Sequence, residues 1–269
     1  MPDDSYLLSG GTSELERLRL QARVWEPAAE GLLDQLSVGT GWNCVDLGCG
    51  AMGILGPLSK RVGTAGHVTG VDLDAKQLAA ARSYVKELGL SNVEIAERDA
   101  YDTHLPNDSF DLSHVRFLFA PVGRDDELIR EMLRITKHGG IIAVQEPDAS
   151  SWNCFPENRS WVELKDLVLA AFSKGGGDFN AGTRIFRMLR QAGLADVKVR
   201  ASILALQDKH PYMRLPIQFA ASLRKRIVEG NLMKEDELQE LVSDCEKVLD
   251  NKDVFALTFV LVQAWGRKP

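Results

Sequence analysis

Between residues 43 and 148 the chain alternates short apolar runs with amphipathic stretches, a rhythm that leaves few folds open. The segments "NCVDLG", "HVTGVDLD", "NVEIAERDA", "SFDLSHVRF" and "GIIAVQEPD" read as strands. Between them, "ILGPLSKRVG", "AKQLAAARSYVKELGL" and "DDELIREMLRITKHGG" read as helices. Pro57 is compatible with helix only near the first turn. Gly89 and the pair Gly139–Gly140 are suitable C-terminal stops. Repeated strand–helix–strand units require a parallel sheet with right-handed crossovers.

The flanks differ. Glu14 to Glu26 has helical spacing through Leu15, Leu18, Ala22 and Trp25, with Ser13 as a cap. After Pro147, residues 158–173 form an amphipathic helix through Trp161, Leu164, Val168 and Phe172, and "TRIFRMLRQAGL" forms another. "DVKVRASILAL" and "VFALTFVLVQAWGRKP" read as two strands joined by a helical insertion at about 208–252. Within it Leu238, Leu241, Val242, Cys245 and Leu249 keep one face. The expected organisation is an N-terminal helical cap segment, 1–39, and one α/β domain, 40–269, whose insertion caps the ligand edge of the sheet.

Composition narrows the partners. A net charge of −6 argues against a polyanion, and no apolar run approaches the ~20 residues of a membrane span. The start, "MPDDSYLLSGG", has neither a basic opening nor an apolar core of signal length. Cys44, Cys49, Cys154 and Cys245 make no C-x-x-C pair, so neither a metal knuckle nor a disulfide framework is expected. A reduced, cytoplasmic protein without nucleic-acid or membrane partners follows, and the sequence leaves a homodimer open.

The turn after the first strand, "VDLGCGAMG", carries Gly48, Gly50 and Gly53 in G-x-G-x-x-G spacing, which alone suits any adenine-bearing cofactor. Asp46, two residues before the first glycine, discriminates. NAD would bring a doubly anionic pyrophosphate beside that carboxylate, which is repulsive. S-adenosylmethionine has no phosphate and carries a cationic ammonium and sulfonium, which Asp46 attracts directly or through one water. Asp72 ends the second strand, where it can hold ribose hydroxyls. Asp99 ends the third, where it can accept from an adenine amine while Ala100 offers a backbone N–H. A turn or capping role would explain any one of these acids. Three at successive strand ends are hard to explain as structure alone.

With those residues in place, the motifs "VDLGCGAMG", "GVDLD", "ERDAYDTHLPNDSFDLSHVRF" and "EMLRITKHGGIIAVQEPD" resemble class I S-adenosylmethionine-dependent methyltransferases, in particular the small-molecule, ubiquinone/menaquinone-type group. The resemblance is specific over residues 40–148. It implies a Rossmann-like seven-stranded α/β sheet with the last strand antiparallel, helices on both faces, and S-adenosylmethionine laid across the first four strands. It places Asp46, Gly48, Cys49 and Gly50 at the methionine part, Asp72 and Leu73 at the ribose, and Asp99 and Ala100 at the adenine. Gln77 would close over the cofactor, and Val115 would end the fourth strand beneath the sulfonium. Some relatives share a leading tyrosine and an R-L-x-x-Q helix like "YLLSGGTSELERLRLQ", which implicates Tyr6 and Gln21. Met52 before Gly53 departs from the smaller residue usual there.

The implied reaction is in-line methyl transfer to a small, apolar or aromatic acceptor, where alignment and desolvation supply most of the acceleration. If the acceptor must lose a proton, His114 is the candidate base and Glu146 the second. A His114 side chain pointing under the sheet is the competing reading. Arg116 could hold an acidic or carbonyl-bearing acceptor, or form a surface ion pair. Of the aromatics near strands four and five (Phe117, Phe119, Trp152, Phe155), Phe119 and Trp152 are taken as pocket residues. The cysteine or N-P-P-Y-like turn that base methylation uses after strand four is missing from "SHVRFLFAP". Two other readings stay open: a NAD-dependent oxidoreductase, and a protein that binds the same cofactor in a regulatory role or for another reaction such as a cyclisation.

Overall fold

A computed structural model describes residues 11–269; Tyr6 lies outside the described residues. The helices are α1 Gly11–Val24, α2 Glu26–Leu36, α3 Leu55–Val62, α4 Ala75–Glu87, α5 Phe119–Val122, α6 Asp125–Ile135, α7 Arg159–Lys174, α8 Gly182–Gln191, α9 Leu215–Ser222, α10 Arg224–Glu229 and α11 Glu235–Leu249. The strands are β1 Asn43–Leu47, β2 His67–Asp72, β3 Val93–Glu97, β4 Phe110–Arg116, β5 Thr136–Asp148, β6 Asn153–Phe155, β7 Ala195–Ser202, β8 Ala205–Leu206, β9 Phe255–Leu257 and β10 Val260–Arg267.

Seven strands make one sheet in the order β3-β2-β1-β4-β5-β10-β7. The first five pair in parallel, and the last, β10, runs antiparallel to both β5 and β7. The order reverses beside β1, and in open α/β sheets ligands bind at such a switch point, beyond the carboxyl ends of the strands. Apolar clusters fill both faces of the sheet, one around Val45, Leu47 and Val115 and one around Cys44, Leu55 and Val68. A third, rich in tryptophan and phenylalanine, lies beneath α7, α9 and α11. That cluster joins the inserted segment to Trp25 and Ala28 near the N-terminus, to α7, and to Phe259 and Leu261 beside and within β10.

Three local differences from the expected pattern have physical causes. The N-terminal helix is two helices, because Pro27 stands in the first turn of α2 and lacks the N–H that would continue α1. The helix expected to stop at Gly139 ends at Ile135. Thr136 turns extended, and its hydroxyl donates to the Met132 carbonyl at 2.6 Å, closing the helix end. "TKHGG" then becomes the start of β5, with Gly139 N–H donating to the Lys268 carbonyl at 2.7 Å. Each of the two late strands also splits. Thr258 bonds Leu204 through both its backbone N–H (2.9 Å) and its hydroxyl (3.0 Å), and the chain breaks there into a small sheet, β6-β9-β8.

Candidate active site

β1 ends in a turn whose backbone favours glycine. Gly48, Gly50 and Gly53 all have positive φ, between +50° and +66°. A Cβ on Gly53 would lie 2.0 Å from Asp46 Oδ2, whereas one on Gly50 would meet nothing within 4 Å. The loop thus packs tightly on its inner side and is open at Gly50.

Asp46 holds that inner side. Its Oδ2 accepts from Ile54 N–H at 2.9 Å and its Oδ1 lies 2.7 Å from His114 Nδ1. At 1% exposure it does not offer a free oxygen to a ligand. Of the two expected modes, direct contact or attraction at a distance through water, this burial favours the second, with Asp46 acting through its charge and the loop it anchors.

Asp72 sits at the end of β2, across from the loop. Its Oδ2 accepts from Gly50 N–H at 2.8 Å and its Oδ1 from Asp74 N–H at 2.9 Å. Burial pushes its carboxyl above the usual range, against the lowering effect of those N–H donors. Asp74 caps α4 through the N–H groups of Lys76 and Gln77. Leu73 is 65% exposed, an apolar side chain left standing at a strand end. One turn on, the buried Gln77 Oε1 has no partner among the described residues. Asp99 accepts from Tyr101 N–H at 2.9 Å beside the buried Ala100. Cys49 is buried, and desolvation raises its thiol well above the ordinary range, so it is a packing residue beneath Gly70.

The candidate base is corrected. His114 has no exposed surface, and both ring nitrogens are engaged, Nδ1 with Asp46 and Nε2 with Gln145 at 2.7 Å. Glu146, the second candidate, accepts from the N–H groups of Leu118, Phe119 and Ala120 at 2.8–3.1 Å. Its carboxyl is pushed up to about 7 by burial, which outweighs those bonds. Glu146 holds the chain after β4, His114 ties β4 to β1 and β5, and neither lines the phenylalanine pocket that begins at Phe117.

Arg116 faces the loop. Its Nη2 donates to the Gly53 carbonyl at 3.0 Å, and its buried Nη1 has no partner among the described residues. Burial lowers its affinity for the proton, opposed by the nearby Asp46. The next residue, Phe117, lines a pocket with Phe172, Phe179, Phe219 and Phe259, closed by Arg17 and Gln21 of α1. The enclosed space is about 30 Å³, against several hundred in a typical ligand pocket, so the rings must part to admit a guest.

Of the other expected residues, Gln21 reaches the pocket, where its Oε1 accepts from Arg17 at 2.9 Å. Trp152 stands one layer behind, stacked on Phe179 at 5.1 Å. Phe119 and Val115 are core side chains in the cluster with Leu47 and do not line the pocket. Sequence reasoning missed Arg17, Phe172, Phe179, Phe219 and Phe259 as pocket residues. α1 buries Glu14, Arg17 and Gln21 beside Ala22 and Trp25, while Leu15 and Leu18 are only half-buried. A Glu14–Arg17 ion pair makes that polar stripe buriable, with Ser222 donating to Glu14 at 3.1 Å.

These groups fit S-adenosylmethionine. The Asp46 carboxylate packed behind the glycine turn disfavours a pyrophosphate there. Gly50 gives open backbone, Leu73 an apolar platform, and Gln77 Oε1 and Arg116 Nη1 are buried polar atoms still able to bond a ligand.

Comparison with known proteins agrees. A family model described as a methyltransferase domain matches residues 39–193. Demethylmenaquinone methyltransferase of Listeria welshimeri is 32% identical over 120 residues, 44% of this chain and 51% of that protein, so the match spans about half the relative's length. Among solved structures, a SAM-dependent methyltransferase from Aquifex aeolicus superposes with a TM-score of 0.53 at 21% identity, covering 74% of this chain and 93% of that one. The [4+2]-cyclase SpnF superposes with a TM-score of 0.51 at 22% identity, covering 91% and 83%. These two likenesses are of fold. With the family model covering more than half its length, the chain belongs to the class I S-adenosylmethionine-dependent methyltransferases.

Proposed function

We propose that the protein transfers a methyl group from S-adenosylmethionine to a small, apolar, aromatic acceptor in the cytoplasm, where its four buried free thiols stay reduced. One observation carries the reading: the phenylalanine pocket begins at Phe117, next to the Arg116 that bonds the glycine loop. The bound cofactor would supply an electrophilic methyl group on sulfur. Asp72 and Gln77 would hold its ribose side, Asp99 and Ala100 its adenine, and Arg116 Nη1 would donate to a carboxylate. The relative named a demethylmenaquinone methyltransferase is consistent with a ring-shaped acceptor.

The pocket residues position and desolvate. Five phenyl rings exclude water and present faces and edges to an aromatic guest. Arg17 lies 4.8 Å over the Phe219 ring, bringing positive charge to an otherwise apolar wall. Since His114 and Glu146 are committed to other bonds, the acceptor is one whose nucleophile needs neither as a base.

The test is incubation of the protein with methyl-labelled S-adenosylmethionine and a panel of quinols and phenols. Label is expected in an organic-extractable product with equimolar S-adenosylhomocysteine. Phe179→Leu should lower kcat/KM for the acceptor while S-adenosylhomocysteine affinity stays unchanged. Conversion of a panel compound without loss of label from the cofactor would instead indicate another reaction on this fold.

A further inference from the structure

A buried polar row crosses the middle of the sheet. Asp46 on β1 and His114 on β4 are register partners, and so are Gln145 on β5 and Gln263 on β10. None of the four is more than 1% exposed. The contacts run from Asp46 Oδ1 to His114 Nδ1 (2.7 Å), from His114 Nε2 to Gln145 Nε2 (2.7 Å), and from Gln145 Oε1 to Gln263 Nε2 (2.5 Å). Gln263 Nε2 also lies 3.1 Å from the Ala28 carbonyl, in α2 of the N-terminal segment.

That carbonyl sets the direction of every bond in the row. A carbonyl oxygen only accepts, so the Gln263 atom facing Ala28 is the NH₂ group, which also donates to Gln145. The Gln145 atom facing it is therefore the oxygen, and its NH₂ faces His114. An NH₂ group only donates, so His114 Nε2 carries a lone pair. The ring proton sits on Nδ1 and is donated to Asp46.

We infer that Gln145 and Gln263 are positioning residues for the cofactor loop: they hold His114 as its neutral Nδ1–H tautomer, so that Asp46 is bonded without its charge being cancelled. An imidazolium would turn the acid behind the glycine turn into a neutral pair, and would set one N–H against another at Gln145. Ionisable neighbours of Asp46 among the described residues include Arg116, whose guanidinium offsets part of its charge while donating to the Gly53 carbonyl, and the buried Cys49 thiol. The carboxylate that His114 leaves uncancelled then attracts the cationic cofactor, while its Oδ2 keeps Ile54 and the loop in place. The tautomer follows from the hydrogen bonds alone, whereas its effect on cofactor binding rests on the function proposed above.

The test pairs nitrogen NMR of ¹⁵N-histidine-labelled full-length protein with calorimetry of S-adenosylhomocysteine binding. The His114 signal is assigned by its loss in His114→Asn. In the wild type it is expected as a single Nδ1–H neutral ring. An imidazolium or an Nε2–H ring in the wild type would overturn the inference. Gln263→Leu should release Gln145, mix the His114 states, and weaken S-adenosylhomocysteine roughly 3- to 30-fold. Unchanged tautomer and affinity in a folded Gln263→Leu protein would also overturn it. A wild type that shows the predicted ring but binds no S-adenosylhomocysteine would leave the tautomer standing and refute the function.

Discussion

Asp46 and His114 face each other as register partners on adjacent parallel strands, 2.7 Å apart and without contact to solvent. The carboxylate that distinguishes this glycine loop is thus a buried charge held by the sheet. Asp46→Asn keeps an oxygen for Ile54 N–H, removes the charge, and sets an amide NH₂ against His114 Nδ1. Both S-adenosylmethionine and its demethylated product should bind at least about tenfold more weakly, a loss of ~1.4 kcal/mol. The loss should be larger for the methylated form, which carries the extra positive charge. Calorimetric titration of both ligands checks this, and equal or smaller losses for the sulfonium would contradict it.

Asp72 ties the loop to β2 through Gly50 N–H at 2.8 Å. Asp72→Ala should weaken cofactor binding without unfolding the protein, since each charge-assisted ribose bond is worth roughly 1.5–3 kcal/mol before water compensates. An affinity within about twofold of wild type, where tenfold is ~1.4 kcal/mol, would remove Asp72 from the ribose site.

Glu146 gives the fold a pH dependence of known sign. Burial raises its carboxyl from an ordinary 4.5 to about 7 in the folded state. Between those values the folded state holds the proton that the unfolded state has released. Stability from this group is therefore full below pH 4.5, falls as pH rises to about 7, and is flat above. Glu146→Gln should flatten that slope in chemical denaturation at pH 5, 6, 7 and 8. It should also cost about 1–3 kcal/mol at pH 5, because an amide nitrogen replaces an acceptor of a backbone N–H.

Tyr212 joins the cap to the N-terminal helices by accepting from Trp25 Nε1 at 3.0 Å, with both side chains buried. Tyr212→Phe leaves that indole N–H unpaired and should cost about 1–3 kcal/mol in thermal or denaturant unfolding. Because Gln21, on the same side, lines the pocket, kcat/KM for the acceptor should fall while S-adenosylhomocysteine affinity holds. A loss confined to cofactor affinity would mean that the cap does not shape the acceptor pocket.

The parallel sheet was legible because strand alternation and glycine stops are local signals, and β1 to β4 lie where "NCVDLG" to "SFDLSHVRF" put them. Acids at strand ends were equally legible, since the end of a parallel strand is where ligands meet the sheet. Side-chain direction was not. His114 and Arg116 are two residues apart on one strand, yet one ends in a row of sheet side chains and the other under the glycine loop. The pocket was the least visible part, because Phe172, Phe179, Phe219 and Phe259 come from separate segments and meet only in the folded protein. Arg17 escaped because a buried arginine looks like a solvated one until its partner, Glu14, one helical turn away, is recognised.

The central claim is that an acid behind the glycine turn, where a dinucleotide would need room for pyrophosphate, selects a sulfur nucleoside. Isothermal titration of the wild-type chain with S-adenosylhomocysteine, S-adenosylmethionine and NAD tests it directly. The account predicts one site shared by the two sulfur nucleosides, each displacing the other, and no heat from NAD. Binding of NAD that neither sulfur nucleoside displaces would contradict it.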